Sequence, residues 1–140
     1  MTPEQMKQAH RRMVDALNRG AGNELTELFH DGYLVHEGFT NGDGTERAYP
    51  VTHDMLRQCG PIPGLPDKRQ EIKMQIAEGD RVFTYCIASA THLGAWFGHP
   101  ATGKRLNYEN LYISRFHEGK IIEHWVFLDA FGMLRQIGTL

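Results

Sequence analysis

The stretch Glu71-Ile72-Lys73-Met74-Gln75-Ile76-Ala77-Glu78-Gly79-Asp80-Arg81-Val82-Phe83-Thr84 decides the fold. Ile72, Met74 and Ile76 alternate with charged or polar neighbours, the period of a strand. Glu78-Gly79-Asp80 is a turn, and a long strand follows it from Arg81 to about His92. Another runs from Leu106 to Phe116, and His117-Glu118-Gly119 turns it into a last one from Lys120 to about Leu128. Turns this short cannot carry a crossover, so the strands form an antiparallel meander.

Upstream the period becomes helical. Thr2 can cap a helix, Pro3 suits its first position, and Gln5 completes a capping box. Met6, Ala9, Met13 and Leu17 make one apolar stripe, and Gly20 supplies the stop. Asn23 is placed to cap a second short helix that buries Leu25, Leu28 and Phe29, and Tyr33 to His36 reads as a short strand. Gly38 to Pro50, containing Asn41-Gly42-Asp43-Gly44, reads as a mobile loop. Thr52 caps a short helix through Leu56 and Arg57. The three prolines between Gly60 and Pro66 remove backbone donors, which leaves an extended linker. A final helical turn is expected at Gly132 to Gln136. Helices first and a curved meander last is an α+β layout, with the helices on one face of the sheet and a pocket between.

A chain of 140 residues suits one domain, residues 1–140. Its formal charge of −2 offers no basic excess for a phosphate backbone, so nucleic acid is not an expected partner. Neither is a membrane, since no apolar run approaches the ~18 residues of a span. Cys59 and Cys86 stand in unrelated contexts and point to reduced thiols in the cytoplasm. Gly98 to Lys104 has the spacing of a phosphate-cradling loop, but Arg105 follows where Ser or Thr would hold magnesium, and a strand follows where a helix is needed. None of the eight histidines forms a helical i, i+4 pair with an acidic partner. No cofactor and no metal are expected.

The residues that could carry chemistry lie near strand ends. Asp129 shares a strand face with Glu123, Trp125 and Phe127. A carboxylate beside aromatic rings loses solvation, which raises its pKa and suits it to take a proton next to a carbonyl. The same position, just ahead of the final helical turn, is also that of an N-cap. His92 and His36 could polarise a carbonyl or relay a proton, or simply bond a neighbouring strand. His124 has the opposite parity from Asp129 and is expected to face the helices or a partner subunit. His10, His30, His53, His99 and His117 read as surface or turn residues. Trp96, Trp125 and Phe127 could hold a flat apolar substrate. Arg115 and Glu109 share a strand face, where Arg115 could anchor a substrate carboxylate or pair with an acid.

The ordered series Glu78-Gly79-Asp80, Thr91-His92-Leu93-Gly94, Gly98 to Lys104, Gly119 to Trp125, Asp129 and Leu134 to Gly138 resembles the SnoaL-like polyketide (ester) cyclases of the nuclear transport factor 2-like fold. The resemblance implies a cone-shaped curved sheet packed on helices, and ring closure by intramolecular aldol addition without metal or nucleotide. It implies that the family's acid/base aspartate falls on Asp129, and that a histidine lining the pocket of antibiotic cyclases falls on Arg115. Cone domains of this kind pair through the outer sheet face as homodimers or tetramers, for which Tyr112 and Phe116 are the expected contacts. The function expected is a cyclase- or isomerase-like enzyme acting on a small apolar carbonyl metabolite. Water addition to an epoxide or lactone, and a non-catalytic binding or dimerisation module, stay open beside it.

Overall fold

The computed structural model describes residues 1–40 and 43–139. The chain opens with helix α1, Pro3–Arg19, begun by the capping box: Gln5 N–H donates to Thr2 Oγ1 at 3.1 Å and Thr2 N–H to Gln5 Oε1 at 2.8 Å. Gly20 ends it at φ 66°, the left-handed turn that glycine adopts without strain. Next come α2 (Gly22–Leu25), β1 (Phe29–Thr40), β2 (Glu46–Val51) and α3 (His53–Arg57). The meander is β3 (Arg69–Glu78), β4 (Arg81–Thr91), β5 (Arg105–His117) and β6 (Lys120–Leu128), and α4 (Ala130–Ile137) closes the chain.

All six strands form one sheet in the order β2-β1-β6-β5-β4-β3. The meander is antiparallel, as the short turns require, while β1 runs parallel to β6. Helix α1 packs against β3 and β4, so the concave face of the sheet is covered and the convex face is not. Strand β5 records this in its sequence: Leu106, Tyr108, Asn110, Tyr112, Ser114 and Phe116 are all buried, and the residues between them are not. The core falls into two clusters. One joins α1, α2 and α3 to the middle of the sheet, with Met6, Met13, Phe29 and Tyr33 in it; the other gathers Leu65, Ala88, Ala90 and Leu106 with Met133 and Ile137 of α4. Among the described residues no helix is long and apolar enough to cross a membrane.

The structure departs from the sequence reading in several places; the proline-rich linker read as extended is folded into turns, with Leu65 N–H donating to the Ile62 carbonyl at 3.0 Å. Ala21, not Asn23, occupies the N-cap of α2, and no side chain caps it. The short strand expected at Tyr33 is twelve residues long and runs through Thr40. Part of the expected loop is the edge strand β2; Asn41 and Gly42 lie outside the described residues. Tyr112 and Phe116, expected on the outer face, are buried on the concave one.

Candidate functional site

The concave face encloses two adjoining chambers that share Leu17 and Tyr112. The first, about 260 Å³, is lined by Asn18, Ile62, Lys68 and Gln70 among others. The second, about 200 Å³, lies between the helices and the sheet, walled by Met13, Phe29, Tyr33, Leu56 and Cys59, with His124 on its sheet side.

A file of buried hydrogen bonds ends at His124, and its direction can be worked out from the outside inwards. Arg11 can only donate, and its guanidinium gives a hydrogen bond to Gln75 Oε1 at 2.8 Å. The Gln75 amide nitrogen therefore donates both its hydrogens, to the Lys7 carbonyl at 3.0 Å and to Thr84 Oγ1 at 3.1 Å. Thr84 then gives its own hydrogen to His10 Nδ1 at 2.7 Å, and His10 Nε2–H donates to Ser114 Oγ at 2.7 Å. The Ser114 hydroxyl in turn donates to His124 Nδ1 at 2.7 Å. The arrangement in which each hydroxyl hydrogen of the file has an acceptor puts the His124 proton on Nε2, for which no partner is seen among the described residues. The His124 side chain forms part of the wall of the apolar second chamber.

Both imidazoles are held neutral. Burial lowers His10 to about 3, and burial together with the neighbouring His10 lowers His124 to about 3. Aromatic packing fixes the His124 ring. Tyr112 stacks on it with centroids 5.6 Å apart, and Phe29 meets it edge-on at 5.4 Å. Beyond Thr84 the file passes through the Gln75 amide, which does not release a proton, to the Arg11 guanidinium. The file therefore sets the tautomer of His124 and does not conduct protons.

The opposite face holds most of the residues singled out by sequence. Glu109 and Arg115 belong to the outward set of β5, and Trp125 and Phe127 to that of β6. His36 also lies there, stacked on Trp125 with centroids 4.7 Å apart and hydrogen-bonded to Glu46 and, at 2.7 Å, to Glu123. Glu123 accepts a further hydrogen bond from Arg115 at 3.0 Å. Burial pushes the Glu123 carboxyl up, but the hydrogen bonds from His36 and Arg115 outweigh it and leave the group below its usual range. Asp129 is exposed and caps α4, accepting from Gly132 N–H at 2.8 Å.

No hydrogen bond joins Asp129 to His36 or His92 among the described residues. Strand parity separated His124 from Asp129 and turned His124 toward the helices; it is the pocket that lies on His124's side. His92 is fully buried on the face of Ala88 and Ala90, where its Nδ1 bonds Thr102 Oγ1 at 2.9 Å and its Nε2 has no partner. Trp96 packs against the second core cluster within the loop that joins β4 to β5. His10, expected at the surface, is buried at the centre of the file. Its signal was available: Met6, Ala9, His10 and Met13 follow the i, i+3, i+4, i+7 spacing of one helix face.

Comparison with known proteins places this geometry. The model of the SnoaL-like polyketide cyclase family matches residues 7–137. The chain is 40% identical over 133 residues to the aklanonic acid methyl ester cyclase DauD of Streptomyces sp. (strain C5), covering 91% of this chain and 78% of that one. It is 28% identical over 127 residues to the nogalonic acid methyl ester cyclase of Streptomyces nogalater, covering 90% and 92%. Among solved structures it resembles wild-type IdmH from Streptomyces antibioticus with a TM-score of 0.76 and 26% identity, over 96% of this chain and 99% of that one. A SnoaL-like polyketide cyclase from Agrobacterium tumefaciens shares the fold, with a TM-score of 0.73 and 21% identity over 99% and 100%. With the fold, the covered concave face and this match along nearly its whole length, the chain belongs to the SnoaL-like polyketide cyclase family.

Proposed function

We propose that this protein is a cofactor-independent cyclase that closes a ring in a small, apolar carbonyl compound of the β-keto ester kind, and that His124 stabilises the oxyanion formed. The observation that supports this reading is a buried imidazole on the wall of an apolar chamber, engaged through Nδ1 by Ser114 at the end of a buried hydrogen-bonded file, which leaves Nε2 as the nitrogen to donate. Such a donor is most effective where water is excluded and where it needs no reorganisation as charge develops. The relatives named as methyl ester cyclases support the substrate class.

In the step proposed, a hydrogen between two carbonyls leaves as a proton to water, which returns one at the end, and the resulting carbanion attacks a third carbonyl within the same molecule. One carbon–carbon bond forms, the attacked oxygen takes a proton, and substrate and product have the same composition. His124 Nε2–H holds the oxygen on which negative charge gathers. Tyr33 and Cys59 line the same chamber, and burial keeps both protonated, raising Tyr33 and Cys59 alike.

The test is turnover of aklanonic or nogalonic acid methyl ester to a cyclic isomer of unchanged mass. The expected result is a loss of about a hundredfold or more in kcat for His124→Phe, the size of effect seen when an oxyanion donor is removed. Full activity in His124→Phe, with loss in Asp129→Asn, would return the chemistry to the aspartate and overturn the reading. Pairing of two copies is a separate part of the proposal. It would use the convex face, where Leu34, Ile76 and Phe127 are exposed, and sedimentation of Ile76→Lys tests it.

A further inference from the structure

The first chamber contains polar groups for which the chemistry at His124 has no use. Lys68 stands just ahead of β3, and its ammonium end is enclosed by the cone, with Nζ 5.7 Å from the centroid of the Tyr108 ring. Among the described residues no carboxylate pairs with it, and it donates no hydrogen bond within the chain. Asn110, the next inward residue of β5 after Tyr108, is 1% exposed. Its amide nitrogen donates to Gln70 Oε1 at 2.8 Å and to Tyr112 at 3.2 Å, while its Oδ1 has no partner. Gln70 and Tyr112, which fix that amide, line the chamber beside Lys68.

An enclosed cation without a counter-charge and a buried acceptor without a donor are each costly. A ligand in the chamber that carries an oxyanion removes the first of these costs, because Lys68 lines it. Beside Lys68 the chamber wall includes Tyr112, Ile62, Leu65 and Leu17, which suits a planar conjugated ligand. We propose that this chamber is a subsite for an acidic enol of the substrate, with Lys68 pairing with the enolate oxygen. The inference rests on the carbonyl-substrate reading above and deepens it: it assigns the enolised end of a poly-β-carbonyl chain to Lys68 and the reacting carbonyl to His124. Burial lowers the Lys68 pKa to about 8, and pairing with an enolate restores the stability of its charged form.

The experiment is equilibrium binding of triacetic acid lactone, a small pyrone ionised at neutral pH, with its O-methyl ether as the control that cannot ionise. Calorimetry on the wild-type protein and on Lys68→Met reads the result, and thermal unfolding verifies that the variant is folded. The lactone is expected to bind the wild-type chain at least tenfold more tightly than Lys68→Met, and the ether to show no such preference. Equal binding of the lactone to both proteins, or equal binding of lactone and ether to the wild type, overturns the subsite. Binding is read without turnover, so the two ideas fail separately. Cyclisation that persists undiminished in Lys68→Met sinks the subsite and leaves the cyclase reading standing, whereas Lys68-dependent binding without cyclisation does the reverse.

Discussion

Ser114 and His124 are paired across the β5–β6 ladder, and the serine hydroxyl lies 2.7 Å from the imidazole Nδ1 on the concave face. With Ser114 as the donor, that contact makes Nδ1 the acceptor and leaves the His124 proton on Nε2. Ser114→Ala leaves Nδ1 without a donor and His10 Nε2–H without an acceptor, at a cost of about 1–3 kcal/mol for each buried group so exposed. The expected outcome is a protein of lower Tm in which the His124 tautomer is no longer fixed. Long-range nitrogen–proton correlation spectra of the imidazoles should show one tautomer in the wild type and a mixture in Ser114→Ala. Cyclase kcat is expected to fall about tenfold or more with KM little changed, the pattern for a group that acts by positioning another.

Acid should destabilise this fold earlier than its carboxylates alone would. His10 and His124 are neutral when buried, and burial lowers each to about 3 against an ordinary 6.5. The unfolded chain therefore binds more protons than the folded one between those values. The stability linked to the two groups is complete above pH 6.5 and is lost progressively as the pH falls toward 3. Each histidine adds up to about 1.4 kcal/mol per pH unit to the slope of stability in that window. Urea titrations at a series of pH values should show this slope, and His10→Gln should reduce it.

Asp129 is expected to matter for stability. As the cap of α4 it satisfies Gly132 N–H, and Asp129→Ala should cost about 1 kcal/mol by removing that hydrogen bond. If the chemistry is at His124, cyclase kcat in Asp129→Asn stays within about twofold of the wild type. A hundredfold loss there, with Tm unchanged, would contradict the placement of the site on the concave face.

Gly22 leaves room for a neighbouring backbone. A Cβ built at this position would lie 2.1 Å from the Leu56 carbonyl oxygen, closer than atoms can approach. Gly22→Ala therefore has to push α2 away from α3, where Leu56 and Leu25 wall the second chamber. Overpacking of this kind costs about 1–3 kcal/mol or more. Both Tm and the affinity for an apolar ligand should fall, which differential scanning fluorimetry with and without ligand would detect.

The sequence carried the architecture more plainly than the site. Alternation from Ile72 onward and the turns at Gly79 and Gly119 were sufficient to read the meander, and β6 has the limits that its pattern implied. Strand β2 was not legible, because Glu46 to Pro50 are all exposed at the sheet edge and no alternation marks them. For the site, parity separated the two faces of β6 but gave no sign of which one α1 covers. Trp125 and Phe127 made the outer face look like the pocket, since aromatic residues on a convex face that stack with a histidine read the same in sequence as aromatic residues in a cavity. Lys68 lies just past a proline-rich linker, where nothing in the local pattern shows that the chain passes under the cone.

The parallel pairing of β1 with β6 sets Leu34 beside Glu123 and Val35 beside His124, residues from opposite ends of the chain. During synthesis the first strand emerges with no neighbour on that side until β6 follows it. Closing so long a loop is entropically costly, and folds dominated by such distant pairings form slowly. The His124 chamber, which needs Tyr33 and Val35 on one side and Val126 on the other, is therefore among the last parts of the molecule to exist. A nascent chain stalled before β6 would carry α1 and the meander's first strands with an open hydrophobic flank, a species prone to aggregation and dependent on chaperones until its final strand arrives.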